Sequence, residues 1–158
     1  MQKTNALRKL DQAKIAYRIE TYPVDDRDLS GKHVLEFVDM NPEKIFKTLV
    51  LKGEKVGYIV ICIPILKEID LKKAARAVGD KKIEMIPMKD LLNVTGYIRG
   101  GCSPVGMKKK FKTYFDDTIE TLDEVAVSAG HRGMQMILNP KELVAYVDGM
   151  LVDVCKDA

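Results

Sequence analysis

The chain contains no CxxC or CxxH spacing, and its three cysteines, Cys62, Cys102 and Cys155, form an odd and scattered set. That pattern argues against a disulfide framework and against a zinc site, and for a reducing compartment. No metal ion and no organic cofactor is expected. Long apolar runs are missing too. The longest, Tyr58 to Leu66, is about half of the roughly 18 residues that a membrane-spanning helix needs, and the N-terminal stretch MQKTNALRKLDQAKIAY lacks an apolar signal core. A cytoplasmic protein with no membrane partner is therefore expected. Charge of one sign is scarce: the net value is +3 over 158 residues, so nucleic-acid contacts must come from local patches rather than from a polycation. Aromatic residues make up only 6%, and few interleave the lysines, which argues against a stacking platform for single-stranded bases.

What is present reads as an ordinary globular composition, 46% hydrophobic and 31% charged, of a length that suits one domain over residues 1–158. Thr4 can cap a first helix with Leu7, Leu10 and Ile15 near helical spacing. Tyr17 to Tyr22 alternates like a half-buried strand and ends at Pro23. The acidic loop PVDDRDLSG leads to a helix with Val34, Phe37 and Val38 on its inner face, broken at Asn41-Pro42. Ile45–Lys52 and Lys55–Ile63 read as strands joined by a tight turn at Gly53, the second apolar on both faces like a central strand. Asp70 caps the helix LKKAARAVG, which stops at Gly79. KKIEMI and the helical MKDLLN follow. Phe111–Phe115, Glu124–Ser128 and Met134–Leu138 are candidate strands, Asn139-Pro140 starts the helix KELVAYV, and MLVDVC closes as a strand. The fold class is α/β (α+β) with a mainly antiparallel or mixed sheet; strand order is not readable.

Three features bear on chemistry. Lys47, in IFKTLVL, shares a strand face with Ile45 and Leu49. An ammonium there either snorkels to water or serves as a donor in a cleft, with its pKa lowered by burial. The second feature is TGYIRGGCSPVGMKKK, Thr95 to Lys110, whose glycines permit amides to converge on an oxygen, as in an oxyanion or phosphate cradle, or simply make a surface turn. It fits neither a Walker A motif nor GxGxxG. Cys102 has the look of a nucleophile, but only His33 and His131 are available as bases and no motif pairs either with it; a plain loop cysteine is the alternative. The third is VSAGHRG, Val127 to Gly133, a backbone approach with a cation beside it, or the turn of a hairpin. The lysines at 108–110 and 112, and those around Arg76, are a solvated surface or a phosphate track.

The order of these elements along the chain is more specific than any one of them. The N-terminal helix, TY before an acidic loop, the Lys-Thr-Leu strand, LKKAARAVGDKKIEM, TGYIRGGCSPVGMKKK and VSAGHRG together resemble the YbaK/EbsC family of Cys-tRNA(Pro) deacylases, over roughly residues 3–157. The family is related to the editing insertion of bacterial prolyl-tRNA synthetases. The resemblance implies a single domain with a mixed, barrel-like sheet flanked by helices. It also implies a trans-editing enzyme that removes cysteine from tRNA(Pro), with aminoacylated tRNA and, transiently, prolyl-tRNA synthetase as partners.

The same resemblance implies roles for individual residues. Lys47 corresponds to the essential lysine and Tyr22 to a tyrosine at the pocket. Gly100 and Pro104 match a GxxxP element that holds substrate through its amides, with Gly101 and Ser103 between them, and Ser128 and Gly130 match the wall of the same pocket. Lys108, Lys109, Lys110 and Arg132 are the candidate tRNA phosphate contacts. The family mechanism implied is attack by the substrate's own thiol on its ester carbonyl, so that the protein supplies no nucleophile. The sequence departs from the family at Gln135, where the best-known members carry aspartate, at Cys102, where an aliphatic residue is usual, and at His131, which replaces a common lysine. Two rivals stay open: a deacylase for alanine or serine, and a non-catalytic module that docks on synthetase and tRNA.

Overall fold

The computed structural model describes residues 3–24 and 31–157, the side chains at 31 and 32 excepted. Most of the expected acidic loop, residues 25–30, lies outside the described residues. Local signals fix the helices. Thr4 Oγ1 accepts the Leu7 amide at 3.2 Å and caps α1 (Asn5–Gln12), which buries Ala6, Leu7 and Leu10 completely. Each of those leucines contributes about 1.5–3 kcal/mol on burial. The Thr4 hydroxyl also donates to the Ala129 carbonyl, pinning α1 to the far half of the chain. Asp70 accepts the Lys72 and Lys73 amides at the start of α3 (Leu71–Val78), and Gly79 ends it at φ +79, as glycine permits. A short α4 (Leu91–Thr95) follows, and Asn139 caps α5 (Pro140–Tyr146) in the same manner as Asp70 caps α3.

The strands form two sheets. In the first, β1 (Tyr17–Thr21), β7 (Met134–Leu138) and β6 (Val125–Ser128) lie side by side, all antiparallel. In the second, the order is β4 (Ile83–Met85), β2 (Phe46–Gly53), β3 (Gly57–Pro64), β5 (Lys112–Asp116), β8 (Met150–Val152). The β2–β3 hairpin and the β2–β4 pair are antiparallel, whereas β3–β5 and β5–β8 are parallel, so this sheet is mixed. β3 is central, and from Ile59 onward every residue is buried, as its two apolar faces require. A parallel bridge between Ile45 and Ala126 joins the two sheets. The mixed α/β architecture agrees with the expectation, as two bridged sheets rather than a closed barrel. One core, with Phe46, Phe115, Val127 and Met136, packs under α1 and α5; another, with Ile61, Ile63, Ala74 and Ala75, lies under α3. Among the described residues no helix is long and apolar enough to cross a membrane.

Three local expectations differ in detail. α2 (Gly31–Phe37) ends before Asn41-Pro42, and Pro42 instead opens a short 3-10 turn. Phe37 is 46% exposed, while Val38, just past the helix, is buried. The β2–β3 turn occupies residues 54–56 between the paired Gly53 and Gly57. Asp80, from the loop after α3, caps it by accepting the Lys55 and Val56 amides at 2.8 and 2.9 Å. Those backbone bonds hold the Asp80 carboxyl below its ordinary pKa.

Candidate active site

Past the Ile45–Ala126 bridge, β2 and β6 diverge and a cavity of about 500 Å³ opens between them. Hydrogen-bond alternation shows which groups of β2 face it. The Ile45 carbonyl is bonded across to the Ile65 amide at 2.8 Å, and the Val50 carbonyl faces the other way, accepting the Ile86 amide at 3.2 Å. In an antiparallel pair the direction alternates residue by residue. The amide and carbonyl of Thr48 therefore point away from β3, along a stretch of edge that no described strand covers before β4 joins at Leu51. Lys47 and Thr48 both line the cavity.

Lys47 is half-buried and pairs with Ile63 across the hairpin, and its side chain makes no hydrogen bond or ion pair among the described residues. Burial pushes its ammonium pKa down, with Glu68 and Cys155 pulling weakly the other way. A cation held in this state is poised to donate to an oxygen that enters the cavity. The opposite wall carries Arg99 and Gly100 from the glycine loop, Ser128 from the end of β6, and Gln135 from β7. Ile65, Ile86 and Leu91 supply apolar surface, and Met85 and Met88 lie at the rim, 46% and 55% exposed. The charged residues lining it are Lys47 and Arg99; no carboxylate does so among the described residues. Nor do the described residues hold a group of three or more histidine, cysteine or acidic side chains able to bind a metal ion.

The two glycine-containing loops clasp each other behind this wall. A Cβ on Gly101 would stand 3.0 Å from the Arg132 amide nitrogen, and the Arg132 Nε donates to the Arg99 carbonyl at 2.8 Å. Gly130, at φ +97, leaves room for the Tyr97 ring, which a Cβ would meet at 2.9 Å. Ser128 Oγ accepts the Gly130 amide at 3.2 Å, and Tyr22 reaches the site through its hydroxyl, which accepts from Gln135 Nε2 at 3.3 Å. The glycines thus serve loop-on-loop packing as well as the cavity.

Lys47, Gly100 and Ser128 are brought together, with Tyr22, Gly101, Gly130 and Arg132 immediately behind. Ser103 and Pro104 stand apart. Ser103 is fully buried, its Oγ accepting the Val105 amide, and Pro104 lines a separate cavity of about 330 Å³ with Lys109, Lys110 and Tyr146. The lysine block lies on that second side: Lys108 covers Gly96 and donates to the Asn93 carbonyl, and Lys110 pairs with Asp148.

Among the cavity residues given no role by the sequence reading are Cys102 and Gln135. Cys102 is 8% exposed and packs with Val50 and Tyr97. Burial pushes its thiol up to about 11, so the protonated form prevails at neutral pH. The His131 ring is engaged through Nδ1 with the Arg132 carbonyl, and His33 with the Pro23 carbonyl. Strand alternation places Gln135 on one face of β7, but nothing local shows that this face meets the glycine loop.

A family model described as the aminoacyl-tRNA editing domain matches residues 30–146. EbsC of Enterococcus faecalis, provisionally named a Cys-tRNA(Pro)/Cys-tRNA(Cys) deacylase, is 44% identical over 153 residues, covering 97% of this chain and 93% of its own. A proline–tRNA ligase of Brachyspira hyodysenteriae is 28% identical over 92 residues, which are 58% of this chain and 16% of the ligase. Among solved structures, one described as a provisional trans-editing enzyme for prolyl-tRNA synthetase superimposes with a TM-score of 0.83 at 24% identity, over 99% of this chain and 100% of that one. That likeness concerns the fold.

Proposed function

The chain belongs to the aminoacyl-tRNA editing domain family, and from that premise we propose that it is a trans-editing deacylase removing cysteine wrongly attached to tRNA(Pro). The observation that carries this reading is the half-buried Lys47, whose ammonium has no hydrogen-bond or ion-pair partner among the described residues, lining with Gly100 a cavity of about 500 Å³, a size within the range of small-molecule sites, about 300–1,000 Å³. Prolyl-tRNA synthetase faces a small size difference between proline and cysteine, and such differences are worth about 1–3 kcal/mol, so a second site must edit.

The chemistry needs little from the protein. The cargo's thiol loses its proton and its sulfur bonds to the ester carbonyl carbon. The carbon–oxygen bond to the ribose breaks, and the proton ends on the ribose hydroxyl. A thiolactone and free tRNA result, and water later opens the thiolactone. Lys47 and the outward Thr48 amide stabilise charge on the ester and ribose oxygens, where a donor in a dry site acts most strongly. The Gly100–Gly101 loop and Ser128 hold the ester end in place, and Tyr22 and Gly130 support that wall. Ser103 and Pro104 act at one remove, by shaping the loop. Lys108, Lys109, Lys110 and Arg132 meet tRNA phosphates, residues 1–158 form one editing domain, and the protein works in the cytoplasm in transient company with the synthetase.

The test is a deacylation assay on a panel of aminoacylated tRNAs, run with and without prolyl-tRNA synthetase. Release of cysteine from tRNA(Pro) with proline spared is expected. Preferred release of alanine or serine would reassign the cargo, and binding without release would make the protein a non-catalytic module.

A further inference from the structure

We infer that Gln135 determines specificity by accepting a hydrogen bond from the α-amino group of the bound aminoacyl ester, an inference that rests on the deacylase reading above. Gln135 sits on β7 between Glu20 of β1 and Ser128 of β6, held from both sides by strand pairing. Its side chain lines the cavity and is only 5% exposed. One end of the amide is anchored, Nε2 donating to the Tyr22 hydroxyl at 3.3 Å. The other end is not: among the described residues, Gln135 Oε1 is the buried side-chain nitrogen or oxygen without a hydrogen-bond partner. Buried polar atoms are nearly always paired, and an exception in a side chain that lines a cavity points to a partner that arrives with the ligand.

The chemistry of that partner follows from what an amide oxygen can do. It only accepts, so its partner must be a donor. Of the protein's donors at this cavity, the Lys47 ammonium and the Thr48 amide suit the ester and ribose oxygens of the cargo, and the Arg99 guanidinium donates to Met88 Sδ at 3.5 Å. Ser128 Oγ, beside Gln135 in register, already accepts the Gly130 amide. The cargo's own strong donor is its α-amino group, on the carbon next to the ester carbonyl. Gln135 Oε1, buried and without a partner among the described residues, is the acceptor we assign to receive it, with the other end of the amide held at the Tyr22 hydroxyl. The site would thus read the feature common to all aminoacyl esters, and register the ester carbonyl against Lys47.

The experiment compares kcat/KM for Cys-tRNA(Pro) and for 3-mercaptopropionyl-tRNA(Pro), which keeps the ester and the thiol but lacks the α-amino group. Wild type should prefer the amino ester by about ten- to a hundredfold, the effect of one hydrogen bond to a charged group. In Gln135→Leu the preference should shrink by that factor, because the amino ester alone loses the bond. Gln135→Met carries the same comparison should the leucine variant fail to fold, as checked by thermal melting. An equal loss on both esters, or a variant that keeps the wild-type preference, overturns the assignment alone. Wild type inactive on both esters overturns the deacylase reading, and the assignment with it.

Discussion

Replacing Lys47 with methionine separates the cost of this residue to the fold from its contribution to turnover. The ammonium is half-buried with no partner among the described residues, and burial holds its pKa below the ordinary value. The native state therefore binds this proton more weakly than the unfolded chain does. Between the folded and the unfolded pKa the unfolded state carries more protons, so stability rises with pH through that window; below it the ionised lysine is a constant burden. Methionine keeps the stem and removes the charge. Lys47→Met should melt at or above wild type at about pH 7, and the gap should close towards about pH 10, as the lysine of the wild type neutralises. Turnover should move the other way. Removing one preorganised donor from an oxyanion costs about 2.7–4 kcal/mol, a loss of roughly a hundred- to a thousandfold in rate. Single-turnover deacylation of Cys-tRNA(Pro) and thermal melts at the two pH values make the comparison. A variant that melts several degrees lower, or that retains wild-type turnover, would refute the reasoning.

Two further outcomes are expected. Tightness of tRNA binding should fall with salt, and Lys108–Lys110→Gln should flatten the slope by about 0.7–0.9 for each phosphate no longer neutralised; an unchanged slope would make the block a solvated surface. Cys102→Ala should retain most activity, and in the wild type alkylation of this buried thiol should be slow at neutral pH and rise steadily with pH before levelling off near about 11; a thousandfold loss of activity with the fold intact would restore a nucleophilic cysteine.

Much of this was legible because its causes are local. The caps at Thr4, Asp70 and Asn139 act within three residues of themselves, and the period of two that set Lys47 on an apolar strand face is a property of the strand alone. What escaped the sequence depends on distant pairings. The Ile45–Ala126 bridge decides where the sheets part, and so turns the uncovered edge at Thr48 into a wall of the cavity. Asp80 caps a hairpin it does not adjoin in sequence. Cys102 and Gln135 meet in one cavity only because the glycine loop folds against the turn after β6. Phe37 follows the periodicity of its helix, yet the chain turns inward only at Val38 and leaves the ring exposed. The resemblance to the family marked the Gly100–Pro104 stretch as a unit, whereas the structure divides it, Gly100 towards Lys47 and Pro104 towards the second cavity.

The central claim, a site that lets the cargo's thiol cleave its own ester, is tested most directly by single-turnover deacylation of Cys-tRNA(Pro) beside Ser-tRNA(Pro) with the same preparation. The two cargoes are nearly the same size, but a thiol of pKa near 8.5 supplies a few per cent thiolate at neutral pH, and a hydroxyl supplies essentially none. The account predicts rapid release from the cysteine ester, with thiolactone trapped among the earliest products, and far slower release from the serine ester. Equal rates on the two esters, with free cysteine as the first product, would contradict it.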